Sequence, residues 1–208
     1  MKFYMTPGSC STGIHLLLEE VGAVFEVYIV NLPAGDHLKP DYLAINPRAT
    51  IPTLVLDDGR PITDFQAIAW WLARQYPRRK LLPDDAAGEV CVLEWMDYAV
   101  GTIHGQGFTR IFTTSSYTPN TADHEAVQAR GREIVTRGFE VMNGQLEGRD
   151  YLAGRFSIAD AALFYTEFWA EHLKMTLPPN CRAHYLRMLE RPAVRQVLAE
   201  EGYASALR

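Results

Sequence analysis

The segment Lys2-Phe3-Tyr4-Met5-Thr6-Pro7-Gly8-Ser9-Cys10-Ser11-Thr12-Gly13-Ile14-His15-Leu16-Leu17-Leu18-Glu19-Glu20 decides how the rest of the chain is read. A short apolar strand breaks at Pro7-Gly8 and a helix begins at once, so Cys10 stands at the junction. The first N–H groups of a helix are unpaired and carry the positive end of its dipole, which stabilises an anion. A thiol there is expected to have a lowered pKa and nucleophilic character, with Ser9 and Ser11 beside it to cap the helix or donate to the sulfur. The alternative for Cys10 is a small buried residue without chemistry.

Outward from this junction, Gly22 ends the helix and Val24 to Val30 reads as a second strand, rich in β-branched and aromatic residues. Asn31 to Pro40 is a loop, followed by a short helix around Asp41 to Ile45 that stops before Pro47. Thr53 to Asp57 and Arg60 to Thr63 form a hairpin across Asp58-Gly59. Ile51-Pro52 stands at its entrance, where spacing alone favours a trans bond. Asp64 is placed to cap a helix whose apolar face holds Ala67, Ile68, Trp71 and Leu72.

No strand pattern follows. Residues 78–87 read as a polar, proline-bearing linker between a domain over residues 1–77 and an all-helical domain over 88–208. Helices are expected from Val90 through Gly101 towards Phe112, from Ala122 to Leu146, from Ile158 to Leu173, and near 182–189 and 193–200. Ser157 and Asp160 have the spacing of a capping box with a structural role.

The 208 residues carry a net charge of −5, which argues against a phosphate-binding surface and hence against nucleic acid as a partner. Cys10, Cys91 and Cys181 are odd in number and far apart, which suits a reducing compartment and no metal site. No segment reads as a signal or a membrane span, so a cytoplasmic location and no membrane partner are expected.

Taken together, the Pro-Gly-Ser-Cys-Ser turn, Leu43-Ala44-Ile45-Asn46-Pro47, Ile51-Pro52, Asp64, the all-helical half and Ser157-Ile158-Ala159-Asp160 resemble the cytosolic glutathione transferases, and among them the bacterial beta class. The resemblance covers essentially the whole chain and implies a thioredoxin-like first domain, glutathione as co-substrate without a metal, a small apolar electrophile, a detoxifying role and a homodimer. It implies that Cys10 faces the glutathione sulfur and that Pro52 is cis. Ile51 would pair through its backbone with the cysteinyl part, Asp64 and Phe65 would hold the γ-glutamyl end, and Ser9, Ser11, Asp97 and His104 would complete the glutathione site, His104 with a catalytic role.

Two departures from the family pattern stand out. Asp64-Phe65 replaces an acid followed by a small residue, which sets an aromatic ring on the expected path of the ligand. No basic residue occupies the loop 31–36, leaving His37, Lys39 or Arg48 to meet the glycine carboxylate. Phe108, Phe112, Trp169 and Phe168 are the candidates for an apolar acceptor site. The expected reaction is conjugation of glutathione to an electrophile, or thiol/disulfide exchange through Cys10. The alternative is a non-catalytic relative with weakened glutathione binding.

Overall fold

A computed structural model describes residues 1–207. Strand β1 (Lys2–Met5) leads into helix α1 (Ser11–Val21), then β2 (Glu26–Ile29), α2 (Pro40–Leu43), β3 (Thr53–Val55), β4 (Pro61–Thr63) and α3 (Phe65–Gln75). The sheet order is β2-β1-β3-β4; β2 runs parallel to β1, and β3 and β4 are antiparallel to their neighbours. β1 and β2 are joined by α1, as a parallel pair must be joined by a crossover. The order strand, helix, strand, helix, hairpin is the one read from the sequence, and it folds as a small mixed sheet.

The chain divides into two compact units, one comprising Met1–Leu82 with the tail from Met188 onward, the other Pro83–Arg187. The tail therefore departs from the expected division at residue 88. Its helix α9 (Pro192–Glu200) packs on α1 in the first unit. The cause is α1 itself, in which every residue from Ser11 to Leu18 is buried. A helix apolar all round must be covered on more than one side. α3 packs against it, and α9 supplies Val194, Val197 and Leu198 as further cover.

The apolar stripe of α3 is Phe65, Ile68, Ala69, Leu72 and Ala73, the i, i+3, i+4, i+7, i+8 set. It is rotated from the expected face: Ala67 is exposed and Trp71 half-buried. Phe65 opens the stripe.

In the second unit, α4 (Ala86–Asp97) continues without a break as a wider π-helical stretch, Tyr98–Phe108, and closes as α5 (Thr109–Phe112). α6 (His124–Gln145), α7 (Ile158–His172) and most of α8 (Pro179–Glu190) complete it. Glycines of α6 let it pack closely on the π stretch. A Cβ on Gly131 would lie 2.8 Å from the Gly107 carbonyl oxygen, and one on Gly138 would lie 2.5 Å from an Ile103 side-chain carbon. Only bare backbone lets α6 approach this closely. The capping box forms as expected: Asp160 accepts from the Ser157 N–H at 2.8 Å and its hydroxyl at 2.9 Å.

Candidate functional site

Pro7-Gly8 turns the chain out of β1 with Gly8 at φ 72°, and Cys10 follows at the start of α1. The serines do not reach the sulfur. Ser9 Oγ donates to the Thr6 carbonyl at 2.6 Å and accepts from the Ser11 N–H at 3.1 Å, so Ser9 closes the turn and caps the helix while Ser11 is buried beside it. The Cys10 thiol donates instead to the Ile51 carbonyl, with Sγ 3.6 Å from the oxygen.

Ile51-Pro52 is cis. Its loop is fixed from α2: Asn46 donates to the Thr50 carbonyl at 2.8 Å and to Thr53 Oγ1 at 3.0 Å, and the Tyr42 hydroxyl also reaches Thr50. The Leu43 to Pro47 segment thus positions Ile51 beside Cys10.

Electrostatics correct the expectation for the thiol. Burial pushes Cys10 up to about 12; the backbone N–H groups of Cys10 and Ser11 pull the other way and Asp64 adds to the rise, so burial wins. Cys10 is a thiol at neutral pH, available as a donor.

Asp64 occupies the N-cap position of α3 but its side chain caps nothing. Its backbone is at φ 71°, a region costly for a residue with a Cβ, and such strain concentrates at functional sites. The carboxylate pairs with Arg48 and lies 3.5 Å from Thr50 Oγ1. Phe65 is 3% exposed, so its ring turns into the core and not along the ligand path. Of the candidate bases, Arg48 is held by Asp64, Lys39 pairs with Asp36 at 2.6 Å, and His37 keeps a buried Nδ1 without a hydrogen-bond partner.

One residue of this site was invisible in the sequence. Glu201, just past α9, accepts from the Gly8 N–H at 2.7 Å, the Thr12 hydroxyl at 2.7 Å and His15 Nδ1 at 2.8 Å. It ties the turn before Cys10 to the first turns of α1. No local signal marks a glutamate 191 positions after the thiol, 201 less 10.

In the second unit, His104 lies on the π stretch. Its Nδ1 is 3.2 Å from the Tyr165 hydroxyl, and its ring stands edge-on to Trp169 at 4.9 Å. Burial takes its pKa down to about 4, so it is neutral at physiological pH. Phe108 and Phe112 stack at 5.6 Å, and each meets Trp169 at 5.2 Å. Phe112 is 49% exposed whereas Phe108 is fully buried, so Phe112 forms the open rim and Phe108 backs it. Phe168 is not part of this group; it is buried against Phe164 and His172. Asp97 ends α4 in the same unit.

Residues 8–75 match the glutathione S-transferase N-terminal domain and residues 125–187 the corresponding C-terminal domain. Glutathione S-transferase GstA of Escherichia coli O157:H7 is 34% identical over 211 residues, covering 97% of this chain and 99% of that one. The chain belongs to the glutathione S-transferase family. A beta class transferase from Sphingomonas chungbukensis superposes with a TM-score of 0.86 at 29% identity, over 98% of this chain and 100% of the other. A sphingomonad glutathione S-transferase complexed with glutathione gives 0.85 at 30% identity, over 97% and 99%. The transferase thus has the thioredoxin-like and helical halves expected of it, and among its described residues no helix is long and apolar enough to cross a membrane.

Proposed function

We propose that this transferase binds glutathione along Ile51, Pro52 and Asp64, with Cys10 donating a hydrogen bond to the glutathione sulfur, and conjugates it to a small apolar electrophile. The observation that carries this reading is the Cys10 Sγ contact to the Ile51 carbonyl before the cis bond. A peptide laid antiparallel on the Ile51 backbone brings a cysteinyl sulfur beside that thiol. The bound glutathione of the sphingomonad relative supports the choice of ligand.

In the reaction, the glutathione thiol loses its proton to solvent and its sulfur attacks the electrophilic carbon. The S–C bond forms as the leaving group departs with the bonding pair. Donation from a neutral Cys10 thiol stabilises the sulfur anion, and the rest is positioning. Conjugation is favoured over thiol/disulfide exchange because exchange needs a Cys10 thiolate, and the raised pKa makes that form scarce at neutral pH. Within the second unit, His104, neutral, is a polar group beside an apolar wall of Trp169 and Phe112 that suits an apolar electrophile. The protein acts as a cytoplasmic homodimer, C2 dimers being the commonest oligomers.

Calorimetric titration with glutathione tests the binding step, with saturable binding in the micromolar to millimolar range expected. Cys10→Ala is expected to lose conjugation at least tenfold while Cys10→Ser, which keeps a donor, loses less. Full activity of Cys10→Ala in both conjugation and exchange assays removes Cys10 from the mechanism. The non-catalytic reading rested on Phe65 obstructing the ligand, and that ring is buried in the core.

A further inference from the structure

Behind the Cys10 turn, the buried face of α1 carries a group of side chains that the conjugation chemistry does not use. His15 is 3% exposed and its Nε2 has no hydrogen-bond partner. One donor atom each from His15, Glu19 and Glu200 lie within 4.8 Å of one another. His15 and Glu19 are one helical turn apart on α1, and Glu200 is the last residue of α9.

The hydrogen bonds around the group set the chemistry of that nitrogen. His15 Nδ1 lies 2.8 Å from Glu201 Oε1, which itself accepts from Gly8 and Thr12. A carboxylate accepts only, so Nδ1 carries a proton, and an ion bound on this side would take the lone pair of Nε2. A carboxylate behind the far nitrogen of a histidine is the usual second partner of a metal-ligating imidazole. One distance already fits, and the group as a whole, whose donor atoms lie within 4.8 Å of one another, closes on an ion by side-chain adjustment. His15 Nε2 is 3.3 Å from Glu200 Oε2, and nitrogen and oxygen donors at about 2.0–2.1 Å from a tetrahedral zinc ion stand about 3.3 Å apart.

Charge balance points the same way. Glu200 spends its other oxygen on Gln196 at 3.0 Å, and the nearby Arg191 is held by Glu20 at 2.8 Å. Among the described residues, no lysine or arginine pairs with Glu19 or Glu200.

We propose that His15, Glu19 and Glu200 form a binding site for one divalent cation, zinc by its donor set, with Glu201 holding the imidazole from behind. The ion clips the end of α9 to the middle of α1 and so braces the helix that begins at Cys10. Solvent and the partly exposed Glu200 leave a coordination position open for water. The site is independent of glutathione, and its role is structural.

The test is a zinc titration of the full-length, chelator-treated protein by calorimetry, with bound metal counted by elemental analysis after dialysis. One equivalent per chain with micromolar or tighter affinity is expected, and the thermal midpoint rises with zinc because a ligand that binds only the native state stabilises it. Glu200→Gln and Glu19→Gln each weaken binding by about 10- to 100-fold, whereas Cys10→Ser leaves it unchanged. Glu200 is half exposed, so its variant keeps the metal-free fold, checked by an unaltered midpoint in chelator. Absence of stoichiometric zinc, binding that survives both glutamate substitutions, or binding that disappears with Cys10 overturns the proposal.

Discussion

Cys10 shows two effects of comparable reach in opposition at one atom. The start of α1 offers it backbone N–H groups, and its surroundings deny the anion water. Desolvation wins because the helix field acts only over one turn, even though Cys10 keeps part of its surface open to solvent. Alkylation of Cys10 by iodoacetamide, followed by peptide mass mapping, is therefore expected to be at least about tenfold slower than for an ordinary thiol at pH 7.5 and to accelerate from pH 9 upward. A plateau reached near pH 7 contradicts this. Phe65 illustrates a different point at the same scale. Phe65→Ala removes a buried ring and is expected to destabilise by about 3–5 kcal/mol in urea unfolding, while glutathione affinity in the surviving native protein stays within about twofold. A large gain in affinity instead places the ring in the ligand's path.

Among the elements, α7 has the most elaborate anchor. Asp160 at its first turn accepts from Ser157 and from the Leu152 N–H at 2.9 Å, and it also lies 3.3 Å from His184 Nε2 on α8. Glu167, two turns further along, holds His184 Nδ1 at 2.8 Å. Burial alone would lower the His184 pKa, but Glu167 and Asp160 overcome it and take it up to about 10. An imidazolium whose native pKa lies above its unfolded value of 6.5 stabilises fully below pH 6.5 and loses that contribution as pH rises towards 10. The stability gap between the native protein and His184→Gln is accordingly largest at pH 6 and shrinks steadily through pH 8 and 9.5, measured by urea unfolding. A gap that is flat or widens with pH refutes the buried imidazolium.

On the scale of the molecule, the first unit is discontinuous in sequence. Residues 1–82 form the sheet, α1 to α3 and the Cys10 turn, yet the back of α1 and the turn itself are completed by α9 and Glu201. A fragment ending at residue 82 is expected to lack a cooperative unfolding transition, since it exposes the α1 surface that Val194, Val197 and Leu198 cover and leaves the donors of Gly8 and Thr12 without Glu201. Adding residues 188–208 through a flexible linker is expected to restore the transition. A cooperative 1–82 fragment shows that the tail is dispensable.

What the sequence determined by itself was local and periodic. The Pro-Gly break before Cys10, the Asp58-Gly59 hairpin, the capping box at Ser157 and the alternation of strand and helix are short-range effects of backbone sterics and apolar spacing, and each formed where it was read. The family pattern added what spacing could not, including the cis bond at Pro52. Tertiary structure alone decided the rest. The pKa of Cys10 depends on how much water its neighbours exclude, and the direction of Phe65 depends on the core that α3 faces. The fastening of the turn by Glu201 depends on a residue that only the folded chain brings near. Desolvation and long-range pairing are sums over atoms distant in sequence, so no local pattern of residues carries them.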